Sequence, residues 1–252
     1  MKTIYTLVLA FSIFMLNSCA ELTQIAQSAG VQNLPLSNAE IISGLKEALL
    51  VGTDSSVKKL SAVDGYLRDQ AVKILLPPEA KTIMDNVSKL PGGTKLVDDV
   101  IVRINRAAED AAKEAKPIFV NSVREMTFAD GLQILHGPDN AATSYFKQKT
   151  SQQLMELYRP KIRESLNKNL VAGLSTQQSW NELTNTWNKF AGSTVGRIAG
   201  YKTVEVKLED YLLQQALNGL FLKIEEREKD IRNNASARVT NILKKVFGSG
   251  SL

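Results

Sequence analysis

Apolar residues recurring at three- and four-residue spacing in nearly every segment, helix-capping patterns ahead of several of them, and no alternating run leading into a hairpin turn together predict an all-α fold. The expected architecture is a single multi-helix, bundle-like domain over residues 37–247, with scope for two lobes joined near the glycines Gly192, Gly196 and Gly200. Residues 1–18 read as a leader, 19–36 as a tether, and 248–252 as a flexible end.

The first helix is expected at Ser37, which makes a Ser-x-x-Glu capping box with Glu40 ahead of Ile41, Ile42, Leu45, Ala48 and Leu49. A second helical stretch carries Val57, Leu60, Val63 and Leu67. Val72 to Leu76 then runs into Pro77-Pro78, which stops a helix, and Ile74 to Leu76 reads equally well as extended chain. Pro78 suits the first turn of a helix through Ile83, Met84 and Val87, closed by Pro91-Gly92-Gly93. From Thr94 the stripe Leu96, Val97, Val100, Ile101, Ile104, Ala107, Ala108, Ala111, Ala112 is the clearest amphipathic pattern, with the charges assigned to the opposite face.

Pro117 restarts a helix through Ile118, Phe119 and Val123, and Thr127 caps another reaching Leu135. Asp139 is expected to cap the next, which holds Phe146, Leu154, Ile162 and Leu166 and which Pro160 is expected to divide in two. Ser175 caps a helix through Trp180, Leu183, Trp187 and Phe190. The two indoles lie seven residues apart on one face, a spacing that favours core over a sugar platform. Leu208 to Ile231 and Ser236 to Phe247 complete the series.

The amino terminus points to export. One cation, Lys2, precedes the apolar run Ile4 to Leu16, which is shorter than the ~20 residues needed to cross a bilayer and fits the layout of a secretory signal. Leu16-Asn17-Ser18-Cys19 resembles a lipobox. That resemblance implies cleavage before Cys19, a diacylglyceryl group on its sulfur and an acylated amino terminus, which is stable anchoring. Cys19 is the one cysteine, so no internal disulfide competes for it. Ala20 follows it where inner-membrane retention would place aspartate, so the expected address is the bacterial cell envelope, lipid-anchored in the outer membrane and facing the periplasm.

Removing Lys2 from the 31 Lys plus Arg leaves 30 against 26 Asp plus Glu, a net charge of +4 on the mature chain. The excess is small and spread out, so nucleic acid is not an expected partner, while anionic headgroups or wall polymers would be weakly favoured.

Three blocks carry a family resemblance. They are Asn105-Arg106-Ala107-Ala108-Glu109, the run Met126 to Phe146 (Met-Thr-Phe-Ala-Asp-Gly-Leu-Gln-Ile-Leu-His-Gly-Pro-Asp-Asn-Ala-Ala-Thr-Ser-Tyr-Phe), and the closing stretch from Asn218-Gly219-Leu220-Phe221 through Arg232 to Ala237-Arg238-Val239-Thr240-Asn241 and Gly248. In these the chain resembles the bacterial family catalogued as domain of unknown function 4197. The resemblance implies an exported, mostly helical protein and brings no activity with it.

The polar residues within those blocks are the candidates for binding a ligand or partner: Asn105, Arg106, Asp130, His136, Asp139, Asn140, Thr143, Tyr145, Arg232 and Arg238. The competing structural expectation is that they cap helices and tie the bundle, Asp139 at a helix start and Arg238 across to a carboxylate. His136 is the one histidine, in a His-Gly-Pro-Asp helix junction, and with Cys19 assigned to lipid no zinc site or cofactor is implied. Carboxylate neighbours occur at Asp98-Asp99, Glu109-Asp110, Glu209-Asp210 and Glu225-Glu226, and a glycosidase needs two set about 5 to 9 Å apart. The leading expectation is a noncatalytic envelope lipoprotein binding a partner protein, a lipid or a wall-derived ligand. The alternatives are a wall or lipid hydrolase using paired carboxylates, and a lipid shuttle with an apolar cavity.

Overall fold

The computed structural model describes residues 37–90, 92–171 and 173–248. The leader, Cys19, the tether and residues 249–252 lie outside the described residues. Chain contacts define two units, Met1–Ile41 and Ile42–Leu252. In the first, the described part is the opening of α1 (Asn38–Ser61), where Glu40 accepts the Ser37 N–H at 3.0 Å and Ser37 Oγ accepts the Glu40 N–H at 3.3 Å. Gly192, Gly196 and Gly200 and both their flanks fall within the second unit.

The fold is all-α, and among the described residues there is no strand. α1 is one helix, where the sequence suggested two: Gly52 is buried beside the Arg227 stem and does not interrupt it. It stops at Ser61, so Val63 falls in a turn, 78% exposed, while Tyr66 three residues later is fully buried. Residues 73–77 are neither helix nor strand. A 3-10 turn at Pro78–Ala80 leads into the short α2 (Lys81–Asp85), and a second turn at Val87–Lys89 precedes α3 (Gly93–Ala112).

α3 buries the predicted stripe at Val97, Val100, Ile104, Ala107, Ala108, Ala111 and Ala112. Its polar face, however, is not all in water. Arg103, Asn105 and Glu109 are buried, because neighbouring chain segments cover that side of the helix too.

α4 (Lys116–Glu125) has Pro117 in its first turn, and α5 (Phe128–Leu135) opens on a Thr127–Asp130 capping box. α6 (Ala141–Asn167) runs unbroken through Pro160. The expected division does not occur: Pro160 faces solvent, where water can take the freed carbonyl, while Leu154, Tyr158, Ile162 and Leu166 on the other face are buried. Burying each such side chain contributes about 1.5–3 kcal/mol, which together outweighs the ~3 kcal/mol cost of an interior proline.

α7 (Thr176–Gly192) starts at the Ser175–Gln178 capping box, and α8 (Thr194–Ile198) follows at once. After the extended residues 201–207 comes α9 (Leu208–Asn233). The helix expected over Ser236–Phe247 is instead a 3-10 turn at Ala235–Ala237 and α10 (Asn241–Gly248). Between them Arg238 turns back to the end of α9, with Nε on the Ile231 carbonyl at 3.0 Å and Nη2 on the Arg232 carbonyl at 2.9 Å.

α6 and α9 form the most extensive helix pair, and α3 packs on both α6 and α7. Phe119 of α4 lies edge-on to Phe146 of α6 and Phe221 of α9, ring centres 5.4 and 5.8 Å away. Gly219 is what lets α9 approach the Tyr66 ring, since a Cβ there would meet that ring at 2.8 Å. Both indoles of α7 are core, with their N–H groups on the carbonyls of Val206 and Lys202.

Asp110 ties the end of α3 to the end of α6 through Ser165 Oγ at 2.7 Å and Lys168 Nζ at 3.0 Å. Burial pushes its carboxyl up, but the bonds from Ser165, Lys168 and Lys113 outweigh that and hold it below the usual range. Asp69 behaves the same way, burial opposed and overcome by Lys223 and Lys59. A group lowered in the folded state contributes stability that is full above its unfolded value, about 4, and is lost as pH falls through its folded value. Urea midpoints should therefore decline as pH drops below ~4, and Asp110→Asn should flatten that decline.

Candidate functional site

Two buried polar clusters take up four of the residues singled out from sequence, Asn105, Arg106, Thr143 and Arg232. The first clamps the connection between α1 and α2. Asn105 is fully buried: its Oδ1 accepts the Ile74 N–H at 2.9 Å, while its Nδ2 donates to the carbonyls of Ile74 at 2.7 Å and Ile101 at 2.8 Å. One side chain thus satisfies an irregular segment as a neighbouring strand would. Arg106 bonds Glu109 at 2.6 Å and Asp64 at 2.7 Å, and Glu109 in turn accepts the N–H groups of Tyr66 and Leu67 at 3.1 and 3.2 Å. Asp64 has φ of 69°, in the left-handed region an aspartate tolerates, and Arg106 together with Arg68 holds it there.

The second cluster joins α5, α6 and α9. Glu228 of α9 accepts the Ala142 and Thr143 N–H groups, both at 2.9 Å, and the Thr143 hydroxyl at 2.8 Å. These are donors at the start of α6, so a carboxylate 86 residues away caps that helix and meets its positive end. Asp139, the predicted cap, instead accepts from Asn233 Nδ2 at 3.2 Å, and Asn140 occupies the cap position without a side-chain bond. Arg232 donates to Glu228 at 3.1 Å and to the Ile134 carbonyl in the last turn of α5 at 2.9 Å. Arg238 bonds backbone carbonyls rather than the expected carboxylate. Asp130 is taken up by the Thr127 capping box, which holds its carboxyl below the usual range.

Beside this cluster, at the corner between α5 and α6, an open groove of about 520 Å³ is lined by Gln133, His136, Pro138, Ser144, Tyr145 and Gln148. It brings together two of the predicted residues, His136 and Tyr145. Its polar side chains are amide, imidazole, hydroxyl and phenol, set among the apolar Ile134, Pro138 and Ala141, with no carboxylate or ammonium among the lining. Tyr145 is half-buried against Phe146, and burial is the main cause that pushes its phenol up. A second groove of about 730 Å³ runs between α7, the extended residues 204–207 and the start of α9.

Seven of the eight acidic neighbours, all but Asp98, are engaged by a basic side chain. In the larger groove Glu209 accepts from Arg163 at 2.7 and 2.9 Å, and Asp210 pairs with Arg159. The hydrogen bond from Arg163 holds the Glu209 carboxyl low, opposite to what a general acid needs. Asp99 bonds Arg103 at 2.7 Å, Glu226 bonds Lys223 at 2.8 Å, and Glu225 bonds Lys229 at 2.8 Å. The enclosed apolar space between α1, α9 and α10 amounts to about 20 Å³, room for a water rather than an acyl chain. Among the described residues no group of three or more His, Cys, Asp or Glu is placed to hold a metal.

Residues 35–248 match the model of a family described as protein of unknown function (DUF4197). The chain belongs to this family. Comparison with curated proteins and with solved structures gave no match. The DUF4197 match takes in both polar clusters and the α5–α6 groove.

Sequence reasoning passed over Glu228 and Glu109. Glu228 lies four residues before Arg232 on one helix, the spacing that solvated pairs also show. The signal was its position: Ile224, Glu228 and Ile231 share a buried stripe, so a carboxylate there replaces an apolar residue. Glu228→Ala should destabilise the fold by about 3–5 kcal/mol by stranding Arg232 and uncapping α6. Glu228→Gln, which keeps acceptors for the amides, should cost less, and denaturation midpoints will rank the two.

Proposed function

We propose that the chain is an exported lipoprotein, tethered through Cys19, whose helical body is a noncatalytic binding module. The observation that carries the binding reading is the α5–α6 groove, an open site of uncharged hydrogen-bonding groups with a half-buried phenol, next to two helices fixed by Glu228 and Arg232. In every acidic pair at least one carboxylate is engaged by arginine or lysine. An apolar space of 20 Å³ gives a lipid shuttle no room for its cargo.

A groove of amides, hydroxyls and an aromatic ring suits a neutral, polyhydroxylated ligand, and wall glycan is the envelope material of that kind. The positive end of α6, which might otherwise recruit an anion, is already neutralised from within by Glu228. Among the described residues no helix is long and apolar enough to cross a membrane, so attachment in this reading rests on the acyl chains.

Mass spectrometry of the protein from its native host should find a diacylglyceryl adduct on Cys19 and a chain beginning there; an unmodified sulfur on a freely dissolved product overturns the tether. Soluble N-acetylglucosamine oligomers, used as the probe, should give saturation-transfer signals with the full chain that Tyr145→Ala removes. No transfer to the wild-type chain would remove the glycan from the reading.

A further inference from the structure

We infer that α8 is a membrane-contacting tip that inserts Val195 and Ile198 among the headgroups of an anionic phospholipid surface. Ile198 is 83% exposed and Val195 67%, and they lie three residues apart on one face of the helix. Ile198 is the most exposed large apolar side chain among the described residues. Exposed apolar residues scattered singly need no explanation, but two on one protruding turn form a patch that water disfavours.

The tip is built rigidly. Ser193 Oγ accepts the Gly196 N–H at 3.1 Å to start α8, and the Tyr201 N–H returns to the Gly196 carbonyl at 3.0 Å to end it. Gly200 supplies the left-handed residue of that ending, with φ of 73°. Gly196 presses so closely on the end of α7 that a Cβ would lie 2.3 Å from the Phe190 carbonyl oxygen. Beneath, the rings of Trp187, Phe190 and Tyr201 stack against one another with centres 5.5 to 5.7 Å apart. The two apolar side chains are therefore held outward by a packed base, not by a frayed loop.

The charge around them selects the occupant. From residue 183 to 204 the chain holds Lys189, Arg197 and Lys202, all exposed, and no carboxylate. Lys89 adds a further cation at the base, over the Tyr201 ring at 4.8 Å. Two side chains are too little area for a stable protein interface, which takes about 800 Å² on each partner. A bilayer makes no such demand, because shallow insertion and attraction to anionic headgroups add together residue by residue. The inference rests on the tethered reading only in that tethering keeps the body close to a bilayer. The tip and the tether can fail separately, since the adduct on Cys19 reports one and a probe on α8 reports the other.

The test uses the full chain with Cys19→Ala and Ile198→Cys, labelled at position 198 with a nitrobenzoxadiazole fluorophore and mixed with phosphatidylcholine vesicles with or without phosphatidylglycerol. The expected result is a blue-shifted, brighter probe on the phosphatidylglycerol vesicles alone, reversed by high salt. A label at Met155→Cys on α6 should stay unchanged. Arg197→Ser should weaken the response about fivefold, the effect of removing one cation near an anionic surface. A probe at 198 that keeps its aqueous spectrum in the presence of phosphatidylglycerol vesicles overturns the inference, as does an equal response at 155. A probe at 198 already blue-shifted without vesicles, which would report shielding by a second copy of the chain, also overturns it.

Discussion

The carboxylate of Glu228 is the constraint on which the arrangement of α5, α6 and α9 depends. α6 is long and packs more extensively on α9 than any other pair of helices packs, yet its first turn has no side-chain cap of its own. Its exposed amides would carry a desolvation cost where they meet α9, and Glu228 removes that cost by accepting from Ala142, Thr143 N–H and Thr143 Oγ at once. The buried charge is compensated in turn by Arg232, whose second arm fixes the last turn of α5. Each partner would be costly alone, so the three helices are placed together or not at all.

The same economy governs the α1–α2 connection. Residues 62–77 contain little regular structure, and their backbone groups need partners. Asn105, Glu109 and Arg106, all on one face of α3, supply them, while the Tyr66 hydroxyl reaches the Ala216 carbonyl at 2.8 Å and the Tyr211 hydroxyl reaches Leu75. Polar side chains thus stand in for a strand partner at one place and for a helix cap at another. The family-block residues that looked like a binding set are largely this scaffold, and the groove at His136 and Tyr145 is what it leaves open.

Local signals were legible wherever a residue acts on its own neighbours. Ser37, Thr127 and Ser175 make the capping boxes that the spacing announced, and the apolar stripe of α3 is buried as its period required. The signals that failed were those decided by distant chain. Pro160 reads as a helix break because its local cost is visible, whereas the burial of Tyr158 and Ile162 that outweighs it is not. Asp139 reads as a cap because it precedes the helix, and nothing in sequence shows that Glu228 arrives there first. Glu228 and Glu109 were missed for the converse reason: a carboxylate beside a basic residue on a helix reads as solvated, and only its place on a buried stripe says otherwise.

The two faces of the body then differ in a way that follows from this construction. In the α5–α6 groove the lining itself carries no charged side chain, Glu228 and Arg232 being paired inside, which leaves hydrogen bonding and ring contact as its recognition chemistry. Around α8 the cations Lys189, Arg197 and Lys202 are exposed beside the apolar Val195 and Ile198, so attraction there is long-ranged and unselective between ligands of like charge. One surface is suited to discriminate and the other to adhere. In the proposed tethered reading the body gains orientation at a bilayer only if a second point of it also touches, and it is the adhesive surface, not the discriminating one, that has the chemistry for that contact.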